Sequence, residues 1–207
     1  GTRLSDFTTA SKTLFQHSGV TFLSINVSPF DAHKHSSISL VGDAKKILET
    51  LNHILKNDGF SISVKYRAEI KQQKNNWNQE VDRIFNLNNE PAVSQGEVIG
   101  FISDSMTEDD TVVCAAGSLP GDMHKLWRTV NGNQYHMEYG YSCMGYEIAG
   151  GLGIRMAKQS GEVFVMVGDG SYLMMNSEIV TAVQENQKLI IVLINNHGFG
   201  SINGLSM

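Results

Sequence analysis

Apolar and polar residues alternate in blocks along this chain, and the block lengths predict its elements. Residues 20–27, VTFLSINV, are a short apolar run closed by Ser28-Pro29, which predicts a strand. Over 43–56 the apolar positions Ile47, Leu48, Leu51 and Leu55 recur at helical spacing, and Asp43 stands where a cap belongs. Residues 57–90 are mostly polar, rich in Asn, Gln and Lys, with one helical patch at EVDRIFNL. They predict a surface helix and a connector rather than core.

From Pro91 onward the pattern sharpens. A helix over 95–105 precedes the strand TVVCAAG at 111–117, and a Gly- and Ala-rich helix, MGYEIAGGLGIRMA, runs to about 158. A strand at 162–167, a helix at 174–186 and a strand at 188–195 follow. Three short runs that are apolar on both faces and alternate with helices predict an α/β fold, with a parallel sheet flanked by helices.

Composition narrows the class. At 41% apolar, 207 residues suffice for one large domain or two small ones. The net charge is −5, with Lys and Arg scattered, which argues against nucleic acid or an anionic membrane as partner. The longest aliphatic run, Leu189 to Ile194, is too short to cross a bilayer. With no charged-then-apolar leader, a soluble, cytoplasmic protein is expected. Two cysteines, Cys114 and Cys143, do not make a disulfide framework and suit a reducing compartment. The opening GTRLSDF, without Met, reads as the interior of a longer chain. Thr8 to Ser11 have the composition of a transit peptide, but Asp6 and the lack of an Arg-rich face argue against one.

Chemistry gathers at two strand ends. One strand stops at Gly168-Asp169-Gly170, and the next stops at Asn195-Asn196-His197-Gly198. Between Gly170 and Asn195 lie 24 residues (171–194), the length of one crossover helix with its loops. In a right-handed βαβ unit both strands end on the same edge, where open α/β sheets bind ligands. Taken singly, Gly-Asp-Gly reads as a tight turn and Asn-Asn-x-Gly as a hairpin or loop. Together they offer one carboxylate, one amide oxygen and backbone carbonyls, hard ligands suited to Mg²⁺ completed by phosphate. Gly168 and Gly170 permit close backbone approach, and the N–H groups of Gly170 and Ser171 open a helix, a favourable place for phosphate.

This spacing resembles the cofactor motif of the thiamine diphosphate enzymes. The resemblance implies that Asp169, Asn196 and the carbonyl oxygen of Gly198 hold Mg²⁺. It further implies that Gly168, Gly170 and Ser171 line the diphosphate of thiamine diphosphate. YSCMGYEIAGGLG, residues 141–153, is similar to the family segment in which a bulky apolar residue bends the cofactor. Met144 takes that position, and the carbonyl of Ser142, where members often have Gly, would accept from the aminopyrimidine. Read by itself, Met144 is equally a core-packing residue.

The resemblance covers nearly the whole chain and is weakest over 57–90. It implies a Rossmann-like central-domain segment at 1–60, a connector at 61–90 and part of the diphosphate-binding domain at 91–207. The nearest similarity is to members that hydrolyse a carbon–carbon bond of a cyclic dione in myo-inositol breakdown, yielding 5-deoxyglucuronate. Such members imply a small-molecule substrate and a homodimeric or homotetrameric full-length protein. Their activating glutamate belongs to a domain expected outside this chain, so no catalytic residue is assigned and the chain alone is expected to show no turnover. An acetolactate-synthase-like lyase is the nearer rival reading, and a non-catalytic α/β module binding a nucleotide or a partner surface is the more distant one.

Other polar residues receive weaker readings. Asp31, His33 and His35 follow a strand as in metal hydrolases, but the chain is too short for the barrel such sites require, so a polar loop is expected. His124, His136, Glu138 and Tyr139 flank the strand ends and could meet substrate or diphosphate, with no role fixed. His197 is expected to point away from the metal. Cys143 adjoins Met144, but no base is fixed beside it.

Overall fold

The computed structural model describes residues 4–11, 13–158 and 160–205. The chain divides into two compact units, residues 1–70 and 71–207. The first holds a one-turn helix α1 (Asp6–Thr9), strand β1 (Leu23–Asn26), a second one-turn helix α2 (Pro29–Ala32), strand β2 (Ile38–Val41) and helix α3 (Ala44–Asn57). β1 and β2 pair in parallel, from Leu23 opposite Ile38 to Asn26 opposite Val41. The Asp43 side chain caps α3 by accepting the Lys46 N–H at 3.0 Å, as its position in the sequence predicts. The apolar run at 20–27 forms strand only over its central four residues.

Helix α4 (Val64–Phe85) begins in the first unit and ends in the second. Its 22 residues extend well beyond the patch at EVDRIFNL. Lys, Gln and Arg favour the helical backbone without building an apolar stripe. Only the last turns, with buried Val81 and half-buried Ile84 and Phe85, reach a core and show in the pattern.

The second unit continues with α5 (Gln95–Ser105), β3 (Thr111–Cys114), α6 (Leu119–Leu126), β4 (Tyr135–Met137), α7 (Tyr146–Ala157), β5 (Val163–Gly168), α8 (Asp169–Met174), α9 (Glu178–Gln184), β6 (Ile190–Ile194) and α10 (Gly200–Leu205). A reciprocal cap starts α5: Ser94 Oγ accepts the Glu97 N–H, and Glu97 Oε2 accepts the Ser94 N–H at 2.8 Å. The four strands form one parallel sheet in the order β4-β3-β5-β6. This confirms an α/β fold of parallel sheets flanked by helices.

Alternation along the strands builds two cores. Val112, Cys114 and Met166, with half-buried Val192 and Ile194, face the cluster formed with α5 and α6. Val113, Val163, Val165 and Val167 face the cluster under Ile148 of α7. Helix α7 presses close on the sheet because Gly151 has no side chain: a Cβ there would stand 2.4 Å from Val165 Cγ2.

Two expectations need correction. The sheet has a fourth strand, β4, where the sequence shows three apolar runs. Tyr135-His136-Met137 is too short and too polar to stand out as a strand. The helix expected over 174–186 forms only over Glu178–Gln184 as α9, and a separate helix, α8, precedes it and ends at Met174, the two parted at Met175 (φ −143°, ψ 51°). Asn176 and Ser177, residue types that favour turns and caps over helix interiors, follow the break. The Met175 side chain also packs onto the Gly145 backbone, where a Cβ would lie 2.4 Å from its Cγ. The strand expected at 111–117 ends at Cys114, and the runs at 162–167 and 188–195 shift or shorten by one or two residues.

Candidate functional site

The register of β5 and β6 pairs Gly168 with Ile194, so Asp169 and Asn195 are the first residues off the sheet on adjacent strands. The two ends are tied directly: Asp169 Oδ2 accepts the Gly198 N–H at 2.8 Å. Asn195 Oδ1 accepts the His197 N–H at 3.1 Å, closing the turn behind it. His197 (φ 62°) and Gly198 (φ 131°) both take left-handed backbone, and the His197 side chain is exposed.

The side-chain amide of Asn196 completes the cluster. One of its terminal atoms lies 2.7 Å from the Gly198 carbonyl oxygen and 3.1 Å from Asp169 Oδ1. As a nitrogen, that atom donates to both oxygens. As an oxygen, it forms with them a trio of hard acceptors, which a divalent cation can bridge. Asp169, Asn196 and the Gly198 carbonyl, the three ligands that the resemblance implies, thus lie together. Among the described residues no group of three or more His, Cys, Asp or Glu side chains is placed to hold a metal. This cluster has a different composition: one carboxylate, one amide and one carbonyl.

Gly168 stands as N-cap of α8, and Asp169 begins the helix. The backbone of Gly170 is enclosed by two side chains: a Cβ there would lie 2.7 Å from Phe199 Cε1 and 3.6 Å from Met144 Cε. Met144 and the Gly-Asp-Gly turn are therefore neighbours. Ser171, in the first turn of α8, is buried.

Met144 sits on a loop between β4 and α7 that two carboxylates shape. Glu138 accepts the Tyr141 N–H at 3.0 Å on one oxygen and the Cys143 N–H at 2.8 Å on the other. These donors, Cys143 foremost, hold its carboxyl below the ordinary range. Ser142, at the bend, has φ 54° and is exposed. Glu147 secures the far end of the loop: Oε2 accepts the Gly145 N–H at 2.9 Å and Oε1 the Ala116 N–H at 3.0 Å. Glu147 is completely buried, and burial pushes its carboxyl above the ordinary value while these donors pull against the shift. The sequence reading missed Glu147. Its signal was one carboxylate in the first turn of an otherwise apolar Gly/Ala helix.

The remaining candidates are accounted for by packing. His136 Nε2 lies 2.7 Å from the Tyr146 hydroxyl, with the two rings stacked. The His124 ring meets Tyr139 edge-on at 5.4 Å. In the first unit, Asp31 pairs with Lys34 at 2.6 Å, His33 ends α2, and His35 lies against the Phe22 ring. Cys143 is exposed, and desolvation with the neighbouring Glu138 raises its thiol pKa, the reverse of what a nucleophile needs. Cys114 is buried and free. No helix among the described residues is long and apolar enough to cross a membrane.

The chain is similar to known proteins. Residues 115–207 match the family model described as thiamine pyrophosphate enzyme, C-terminal TPP binding domain. The whole chain is 42% identical to the 3D-(3,5/4)-trihydroxycyclohexane-1,2-dione hydrolase of Clostridium tetani (strain Massachusetts / E88). It is 44% identical to the protein of that name from Clostridium botulinum (strain Alaska E43 / Type E3) and 45% identical to that from Bacillus cereus (strain AH820). Each alignment takes in 100% of this chain and 36% of the relative, so the chain spans about a third of the length of these curated relatives.

Proposed function

We propose, from the premise that residues 115–207 are the C-terminal TPP-binding domain of a thiamine pyrophosphate enzyme, that the ends of β5 and β6 hold thiamine diphosphate through Mg²⁺. The observation that carries this reading is the convergence of Asp169 Oδ1, the Asn196 amide and the Gly198 carbonyl on one point. Asp169, Asn196 and Gly198 O are the metal ligands, with Gly168, Gly170 and Ser171 along the diphosphate. Met144 supports the cofactor from the side of Gly170, and the Ser142 carbonyl receives its amino group. Residues 1–60 then belong to the family's central domain, 61–90 to a connector and 91–207 to the diphosphate-binding domain.

The activity proposed for the protein is hydrolysis of a trihydroxycyclohexane-1,2-dione, the compound in the names of its relatives, by cleavage of a ring carbon–carbon bond. When bound, thiamine diphosphate supplies the electron sink that lets a bond between two carbonyl carbons break. The chain's own residues orient and neutralise. Asp169 brings the negative charge that a divalent cation requires, and the two strand ends fix its direction. The first turn of α8, in which Ser171 is buried, would offer N–H groups to the diphosphate oxygens. Glu138 and Glu147 hold the Met144 loop against that turn.

Titration calorimetry of the purified chain tests the reading. Thiamine diphosphate, or inorganic pyrophosphate, should bind only with Mg²⁺ present, and Asp169→Ala should abolish that binding. Binding indifferent to Mg²⁺ and to the substitution would instead mark an α/β module for another ligand.

A further inference from the structure

We propose that Glu147 is a positioning residue whose two carboxyl oxygens tie the exit of β3 and the Met144 loop to one point. The proposal rests on the reading of this region as a thiamine diphosphate site and assigns it a residue outside the cofactor's own contacts. Two backbone donors meet this carboxyl group, the Ala116 N–H on Oε1 at 3.0 Å and the Gly145 N–H on Oε2 at 2.9 Å. They come from separate chain segments: Ala116 follows β3, and Gly145 follows Met144.

Packing alone does not call for a carboxylate here. A buried charge carries a desolvation cost, and an apolar side chain of similar volume would fill the space in this Gly/Ala-rich helix without it. What a carboxyl group adds is two oxygens, one accepting from each segment. The segments themselves leave little slack. Gly145 is buried at φ 91° with Met175 against its backbone. Met144 Cε already reaches the flank of Gly170. A shift of Gly145 therefore moves Met144 relative to the turn that would hold the diphosphate. Glu147 makes no contact with the proposed metal ligands and acts through the backbone alone.

The test is Glu147→Gln in the full 207-residue chain. The amide keeps the side chain's size but sets an NH₂ group against a backbone N–H, at Ala116 or at Gly145. Calorimetry with Mg²⁺, at a temperature where circular dichroism matches wild type, should show thiamine diphosphate affinity reduced at least fivefold. A smaller change overturns the proposal, because a purely structural role would lower the melting temperature and leave the folded protein's affinity intact. Should the variant not fold, amide hydrogen exchange in the wild-type protein decides. Adding thiamine diphosphate and Mg²⁺ should slow exchange at Ala116 and Gly145 together, and a response at only one or neither overturns the proposal. Wild-type protein that binds no thiamine diphosphate would refute the cofactor reading itself. Wild-type binding with an unaffected Glu147→Gln variant refutes only the role of Glu147.

Discussion

The terminal methyl of Met144 lies 3.6 Å from the point where a Cβ on Gly170 would stand. A residue of the β4–α7 loop thus flanks the turn that leaves β5, although 25 positions separate them in sequence (145–169). If Met144 supports only the organic part of the cofactor, its truncation should separate two affinities. Met144→Ala is expected to weaken thiamine diphosphate about tenfold and to leave pyrophosphate within twofold, both measured by calorimetry with Mg²⁺. Equal losses for both ligands would assign Met144 to packing.

Ser142 offers a test with the opposite sign. Its φ of 54° is a left-handed conformation that costs a non-glycine residue roughly 1–2 kcal/mol, offset in part by the greater freedom of glycine in the unfolded chain. Ser142→Gly should therefore raise stability by about 0.5–1 kcal/mol in urea titration. Affinity for thiamine diphosphate should stay unchanged, because the proposed cofactor reading uses only the carbonyl. A loss of affinity would show that the hydroxyl participates.

Contact between α7 and β5 can be probed at Gly151, whose added Cβ would meet Val165 Cγ2 at 2.4 Å. Val165 is fully buried and has no room to move aside. Helix propensity favours Ala by about 1 kcal/mol, whereas overpacking costs about 1–3 kcal/mol, so Gly151→Ala should be destabilising on balance. In Gly151→Ala/Val165→Ala the deleted methyls make room, and the double variant should lose less stability than the sum of the singles. Additive losses in chemical denaturation would contradict the contact.

Acid stability depends on Asp110. One carboxylate oxygen accepts the Glu162 N–H at 2.6 Å, and the other accepts the Thr107 N–H at 2.7 Å and the Thr107 hydroxyl. Burial pushes this carboxyl up, but those bonds and the Lys158 charge outweigh it and hold the group below its ordinary value. A depressed pKa contributes stability that is present above the unfolded value of about 3.9 and is lost as pH falls through the folded value. Wild-type melting temperature should accordingly fall more steeply below about pH 4 than that of Asp110→Asn. Parallel acid limbs would show that Asp110 titrates as it does in the unfolded chain.

Much of the second unit was legible because its signals are strong and local. The apolar runs of β3, β5 and β6 are buried from both sides, and a site spelled by two strand ends one crossover apart follows from topology. What stayed hidden depends on distant partners. β4 is a strand only because β3 offers it hydrogen bonds, and Met175 breaks the helix beside Gly145, which lies 30 positions earlier. The polar length of α4 carried no stripe for the eye to follow. Glu147 looks like one more helix residue until its two donors, Ala116 and Gly145 from separate segments, are seen together.

The pairing of Gly168 with Ile194 has a consequence beyond the cluster it places. Each of these strands sends alternate side chains to opposite cores, so a slip of one residue in β6 would exchange its two faces. The same slip would draw Asn196 out of line with Asp169. Parity in the sheet therefore proofreads the site: a chain that packs both cores correctly has already aligned the carboxylate with the amide.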